Sequence, residues 1–514
     1  MKRYSDLEYL RLGKWERFVY KLQSFFVAIP KKLWQLILSI GRFFKKIGLG
    51  IAKEFTDIWL TFKDGDWKTK TSYLVMGFGN IARGQVLRGI LFLLFEIVFI
   101  GYMVLPQGGA YWLSKLGSLG DQGPHKEMVQ KYGQWVETSV AGDNSFRILL
   151  YGVLTIFFII AFIYTWRLNV KQNKIAEGIL KSGKPLRSGK DDLHSLVDDQ
   201  FHKTLLALPL TGILIFTVLP IVFMVLVAFT NYDAEHDGLN NLFTWVGMDN
   251  FNTMFNWTAG GKSYSAAFGE ILTWTLIWAF FATFTNYFLG MLVAMMINKK
   301  GINLKKLWRT VLVMTIAIPQ FISLLYVSKM FAKNGLINLS LINLGWIQTG
   351  QELPFWEDPT WARITVILIN IWIGIPYLML IATGILMNIP ADLYESARID
   401  GANPVQQFTK ITLPYMLFIT GPYLLTSFTG NMNNFNVIYL LTGGGPTNAS
   451  ISTGGAAVGH TDLLITWLFK ITMEGGNKYY MASVVGILVF LVVAVISLVV
   501  YGLLPSIKNE EDFQ

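Results

Sequence analysis

Glu96 is the one charged residue well inside any long apolar run of this chain. An ionisable group at membrane depth is a functional candidate by default, and a carboxylate there could carry protons. No lysine, arginine, histidine or second acid lies deep in another apolar run to share a proton with it. A protonated or hydrogen-bonded glutamate in a peripheral helix is the better reading. Gly178-Ile-Leu-Lys-Ser-Gly183-Lys184 matches the start of a phosphate-binding P-loop. The next position needs a Ser or Thr hydroxyl for magnesium and holds Pro185, which also removes an N–H from the phosphate cradle. No strand precedes the run, so a solvated loop is expected and the chain should not hydrolyse ATP itself. Gly77-Phe-Gly79-Asn-Ile-Ala82 fits a dinucleotide fingerprint but lacks a surrounding βαβ unit, and reads as a flexible elbow. The five histidines, at 125, 194, 202, 236 and 460, have no metal-ligand spacing, and there is no cysteine. No nucleophile–base arrangement is visible either, so catalytic residues, resident cofactor and metal are all expected to be none.

Two apolar runs carry polar stripes. Asn370, Gly374 and Tyr377 stand at i, i+4 and i+7 on one helical face. Ser427, Asn431 and Asn434 repeat that spacing, with Gly430 between them. Asparagines facing lipid would be costly, so both faces should line protein or water. A path for a polar solute and ordinary interhelical hydrogen bonding both satisfy that demand.

The elements that hold these stripes follow from composition. Of the 514 residues 53% are hydrophobic and only 15% charged, against about 25% charged in a soluble domain. With a mean hydropathy of +0.44 the chain has lipid as its main solvent, which excludes a soluble enzyme and a free nucleic-acid binder. A helix needs about 20 apolar residues to cross a bilayer. Eight stretches qualify: 89–105, 146–166, 205–229, 270–297, 307–328, 362–387, 415–442 and 480–504. An all-α integral membrane protein with eight transmembrane helices is expected, since lipid offers an open strand no hydrogen-bond partners.

Cations set the orientation. With both termini cytoplasmic, the inner segments hold 33 of the 43 lysines and arginines. The positive-inside rule favours that arrangement. Residues 1–82 read as one or two basic amphipathic helices on the inner leaflet, interrupted at Pro30-Lys31-Lys32, with no cleavable signal pattern. Beyond them the sequence suggests an N-terminal pair of spans (83–166), a polar cytoplasmic loop (167–204), a six-helix core (205–504) and a cytoplasmic tail (505–514).

Inside the core, 388–414 forms a structured loop. Asp392 is placed to cap a first helix, and Gly401 can adopt the left-handed conformation that ends it. Asn403 then caps a second helix with Pro404 at its first position, and Leu413-Pro414 closes it. Val405, Phe408 and Ile411 share one side of that short helix, which cannot bury them alone. Glu395-x-Ala397, Gly401 and Ile411-x-Leu413-Pro414 form the "EAA" signature, and the chain here resembles the ABC-importer permeases. Asp392-Leu-Tyr-Glu395, Lys410-Ile-Thr-Leu-Pro414, Asn433-Asn-Phe435, Gly443-Gly-Gly-Pro446 and Gly459-His-Thr-Asp-Leu-Leu464 are similar to the larger permease subunit of maltose and maltodextrin importers. The likeness is specific from about 205 to the C-terminus and general before it. The enteric maltose permease carries a large extracytoplasmic domain after its third span, where this chain has only 230–269.

The resemblance implies a type I ABC-importer permease core and a transport subunit rather than an enzyme, in the bacterial inner (cytoplasmic) membrane. It implies an oligosaccharide substrate, maltodextrin-like, taken from an extracytoplasmic sugar-binding protein. The further partners implied are a second permease subunit and two ATPase subunits, which use ATP and magnesium; no nucleic acid is involved. Substrate-site positions map onto Asn370, Ile373, Gly374, Tyr377, Ser427, Gly430, Asn431 and Asn434. Gly430 departs from the enteric protein, which has phenylalanine there. ATPase coupling maps onto Glu395, Ala397, Gly401, Pro404 and Phe408, and Pro376 and Pro422 are expected to bend their spans. The alternatives are a proton-coupled secondary sugar transporter using Glu96 and a non-transporting membrane scaffold.

Overall fold

Long apolar runs satisfy their backbone only as helices, and the described residues are mostly helical. The computed structural model describes residues 13–131, 133–256, 263–299, 301–452, 456–474 and 476–502; the 505–514 tail lies outside these. The chain divides into two units, Met1–Gly247 and Met248–Gln514. The helix Phe201–Val227, assigned from sequence to the core, thus falls in the first unit.

The first unit begins with α1, Lys14–Asp64. It is one helix of 51 residues, roughly 76 Å long, and it continues past Pro30 where the sequence suggested a break. Elements α2 (Val86–Val104), α3 (Ser145–Lys181) and α4 (Phe201–Val227) follow, each long and apolar enough to span. α3 runs fifteen residues beyond the predicted end at 166, so much of the segment read as a loop is helix. The connection shrinks to 182–188, followed by a short helix Gly189–Val197. Gly178 therefore sits in a helix end, where a P-loop would have its strand-to-helix turn. Between α2 and α3 lies an antiparallel hairpin, β1 (His125–Lys131) with β2 (Gln134–Val140).

The extension of α3 has a purpose visible in its buried face. Asn169, Asn173 and Glu177 recur every four residues there. Asn169 Oδ1 accepts the Gly77 N–H at 2.9 Å, and Asn173 Nδ2 donates to Asn80 Oδ1 at 3.0 Å. Glu177 accepts from Thr69 Oγ1 at 2.8 Å. Arg83 ties the same elbow to Asp66 at 2.5 Å and to Asn173 Oδ1 at 2.8 Å. An added Cβ on Gly79 would lie 2.1 Å from Asn173 Oδ1, so the glycines of 77–82 serve close packing and not phosphate binding. Glu96 belongs to this framework: its carboxylate accepts the Met76 N–H at 2.8 Å. It is a holding group between helix and elbow.

The second unit holds α5 (Tyr264–Asn298), α6 (Lys305–Ala317), α7 (Gln320–Met330), α8 (Pro359–Leu386), α9 (Ala391–Ile399), α10 (Leu413–Met432), α11 (Phe435–Thr442), α12 (Leu464–Met473) and α13 (Tyr479–Tyr501). Among the described residues, seven helices across both units can span a membrane. The span predicted over 307–328 is instead two helices meeting at 91°. Ile318-Pro319 sits at the break, where proline's missing N–H and its bias against a preceding α conformation end α6. Pro376 and Pro422, expected to bend their spans, lie inside α8 and α10. Among the described residues two apolar clusters form the core of the second unit. One gathers Trp278, Leu324, Val366, Ile369, Val437 and Leu441; the other gathers Tyr287, Met291, Leu378, Met379, Met416 and Leu424.

Candidate functional site

On α5, α8 and the α10–α11 pair, the two apolar clusters are separated by polar residues. On α5 these are Thr283 and Asn286, between Ala282 and Tyr287. On α8 they are Asn370 and Gly374, between Ile369 and Leu378, and on the third wall Asn431 and Asn434 precede Val437. Asn286 and Asn370 are buried, and Asn431 and Asn434 are partly so. The bundle then stacks the three sets into one layer.

Part of the layer is hydrogen-bonded. Asn434 Nδ2 lies 3.4 Å from Asn431 Oδ1, and Asn431 Nδ2 donates to Thr283 Oγ1 at 3.0 Å. Trp278 Nε1 donates to the Asn431 carbonyl at 3.0 Å, locking the end of α10 against α5. Asn434 also caps α11 by accepting the Val437 N–H. Two amides remain: Asn286 Oδ1 and Asn370 Nδ2 are buried without a hydrogen-bond partner, in side chains each 6% exposed. Buried polar groups are normally satisfied, and each orphan costs about 1–3 kcal/mol.

The predicted α8 stripe divides. Asn370 is closed in, while Tyr377 is 53% exposed. Tyr377, Ile373 and Trp372 line a cleft of about 390 Å³ whose other wall is the break between α6 and α7, with Thr315, Gln320 and Ser323. A hydroxyl, an amide and a phenol facing aromatic rings suit a ligand that carries hydroxyls on weakly apolar rings. Ser427 is partly exposed on α10, and Gly430 is exposed with open space where a Cβ would stand. Asn286, Thr283, Gln320 and Ser323 were missed in the sequence. Asn286 had a signal, an amide in the interior of a long apolar helix, whereas Gln320 and Ser323 depend on a break that the apolar run conceals.

The EAA loop has a defined geometry. α9 starts after Pro390, and Asp392 lies in its first turn rather than at the cap. Gly401 follows the helix at φ +76°; its N–H donates to Arg398 O at 3.0 Å, and Ala402 N–H donates to Ala397 O at 2.8 Å. That pair of bonds is a Schellman termination, which needs the left-handed residue. Asn403 and Gln406 form a reciprocal capping box at 2.8 and 2.9 Å, with Pro404 at the first helical position. Leu413-Pro414 does not close the second helix. The helix passes through a π-helical turn, Phe408–Thr412, directly into α10. Phe408 packs against the second apolar cluster, while Val405 is 69% and Ile399 86% exposed. Tyr394 and Thr412 share a 2.8 Å hydroxyl bond that fixes α9 to this turn. Glu395 points into solvent. The Gly459–Leu464 motif is a buried turn in which Asp462 accepts the Gly459 N–H and pairs with Lys470, both at 2.7 Å.

A spanning bundle with a polar layer and an exposed, capped loop is an integral membrane protein with a surface for a partner. Residues 286–509 match the family described as "Binding-protein-dependent transport system inner membrane component". The chain is 32% identical over 447 residues to the maltodextrin transport system permease protein MalC of Streptococcus pneumoniae, covering 85% of this chain and 96% of that one. The galactooligosaccharides transport system permease protein GanP of Bacillus subtilis is 31% identical over 439 residues, with 85% and 97% covered. The maltose/maltodextrin permease MalF of Escherichia coli is 35% identical over 254 residues, 47% of this chain and 48% of that protein. The chain belongs to the binding-protein-dependent transport permeases. The MalC match also carries the likeness well into the first 204 residues, further than the motifs did.

Proposed function

We propose that this chain is the larger of two different membrane subunits of an ABC importer, carrying a maltodextrin-like oligosaccharide into the bacterial cytoplasm by alternating access. The observation that carries this reading is the polar layer of the second unit, which holds two unpartnered amides between apolar clusters. Asn370, Ile373, Gly374, Tyr377, Ser427, Gly430, Asn431 and Asn434 form the substrate path. Of two ATPase subunits, one docks on this chain's loop carrying Glu395, Ala397, Gly401, Pro404 and Phe408, where Ile399 and Val405 are the exposed apolar tips, and an extracytoplasmic binding protein delivers the sugar. ATP and magnesium act on the ATPase chains. Their hydrolysis cycle shifts the bundle between outward and inward states, which requires the loop to be rigid enough to transmit motion. Both termini lie in the cytoplasm, with residues 1–82 along the inner leaflet.

The test is uptake of labelled maltotriose by the reconstituted importer, with and without ATP and a proton uncoupler. ATP-dependent, uncoupler-insensitive uptake is expected. Tyr377→Ala should lower it more than Asn431→Ala, because a ring is lost as well as a hydroxyl, while Leu380→Ala one turn away leaves it near wild type. Equal losses in all three would discard the site assignment, and uptake driven by a proton gradient alone would discard the ABC reading.

A further inference from the structure

We propose that Asn286 of α5 is a sugar-contacting residue, and that Gly374 is glycine because the Asn286 amide occupies the place of its side chain. The inference rests on the importer reading above. A Cβ built on Gly374 would lie 2.2 Å from Asn286 Nδ2, 2.6 Å from Cγ and 3.0 Å from Oδ1. The α5 amide thus lies directly on the α8 backbone. Asn370 stands one turn earlier on the same face of α8, where side-chain origins are about 5–6 Å apart. The two amides therefore belong to the same stretch of the α5–α8 contact.

Their unmet needs are opposite in sense. Asn286 Oδ1 is an acceptor without a donor, and Asn370 Nδ2 is a donor without an acceptor. A sugar hydroxyl donates one proton and accepts others, so it can satisfy both atoms at once. Asn434, Asn431 and Thr283 hydrogen-bond in series, so their exposed lone pairs serve the path without an unmet need. The unmatched acceptor for a sugar hydroxyl is thus Asn286 Oδ1 on α5, beside the unmatched donor Asn370 Nδ2 on α8. In this arrangement Gly374 touches no sugar itself. It admits the residue that does, and the sugar path has a third wall beside α8 and α10.

A purely structural orphan predicts something different. Replacing an unsatisfied buried amide by an apolar group of the same shape is neutral or stabilising. Asn286→Leu is close in shape and removes the acceptor. The expected result is a complex that assembles and melts at or above the wild-type temperature. Uptake of maltotriose or a galactotriose should show a KM raised up to about tenfold, the effect of one hydrogen bond. Gly374→Ala should reproduce that loss, since its methyl displaces the amide. With monodeoxy maltotrioses or galactotrioses, one analogue should be carried worse than its parent by the wild type and no worse by Asn286→Leu. That loss of discrimination cannot arise from folding. Unchanged KM and unchanged discrimination in Asn286→Leu would overturn the inference, leaving an unbound or water-bridged amide. If Tyr377→Ala and Asn431→Ala lose uptake while Asn286→Leu does not, this inference fails alone. If the wild-type complex moves neither sugar, the importer reading fails and takes this inference with it.

Discussion

Replacing Gly401 separates the shape of the EAA loop from the surface it presents. Its φ of +76° is a conformation that costs an ordinary L-residue roughly 1–2 kcal/mol, whereas asparagine tolerates it well. Nothing lies within 4 Å of an added Cβ, so an alanine would meet no clash within this chain. Proline is worse on two counts. Its φ is fixed near −65°, and it lacks the N–H that Gly401 donates to Arg398 O at 3.0 Å. The Schellman turn would then open, and α9 would lose its fixed direction relative to the capping box at Asn403. If the ATPase binds only the closed turn, 1–2 kcal/mol is about a 5- to 30-fold loss of affinity for Gly401→Ala. Gly401→Asn should stay within a few-fold of wild type, and Gly401→Pro should show no measurable docking. The assay is titration of the purified ATPase onto the membrane complex in nanodiscs, with sugar-stimulated ATP hydrolysis as the second readout. Wild-type affinity in Gly401→Pro would refute the docking role. A full loss in Gly401→Asn as severe as in Gly401→Pro would refute the conformational argument and show a partner backbone seated against the glycine.

Gly430→Phe places a ring into open space, so the complex should remain stable while uptake of longer oligosaccharides falls more than that of maltose; equal loss for every length would contradict the assignment of Gly430 to the path. Gly79→Ala puts a methyl 2.1 Å from Asn173 Oδ1 in the buried elbow, and the thermal melting of the purified chain should drop by several degrees, with a larger loss of assembled complex than of transport per complex. At Asp143, burial raises the carboxyl pKa, but the N–H groups of Asp121 and Gln122 and the Lys115 ammonium outweigh it and hold the value below the ordinary one. A depressed carboxyl stabilises the fold at pH above the unfolded value and loses that contribution as pH falls through the folded one. Amide exchange at Asp121 and Gln122 should be flat from pH 7 to 5, after correction for intrinsic rates, and protection should fall below about pH 4. Asp143→Asn should show the reduced protection at every pH.

The sequence alone carried the chemistry that depends on residue type and local order. Apolar runs long enough for a bilayer marked the spans, because lipid leaves an unpaired backbone no alternative to helix. The loop termination at Gly401 and the cap at Asn403 were legible because each is decided within six residues, by backbone sterics and one short side chain. Pro185 ruled out a phosphate loop for an equally local reason. Where a helix would continue was not legible. α3 runs to Lys181 because Asn169, Asn173 and Glu177 find partners in the elbow of 66–85, and those partners lie 92 to 108 residues away. The role of Glu96 was hidden for another reason: it accepts a backbone N–H, at Met76 twenty residues earlier, and a backbone group leaves no mark in residue type. At Pro319 the apolar run continued on both sides, so hydropathy reported one span where the backbone makes two helices. Only the tertiary structure divided the α8 stripe, enclosing Asn370 while opening Tyr377 to a cleft, and only it brought Asn286 onto Gly374. Periodicity fixes which face of a helix is polar; which neighbour that face meets, and which amide is left without one, is decided when the helices pack.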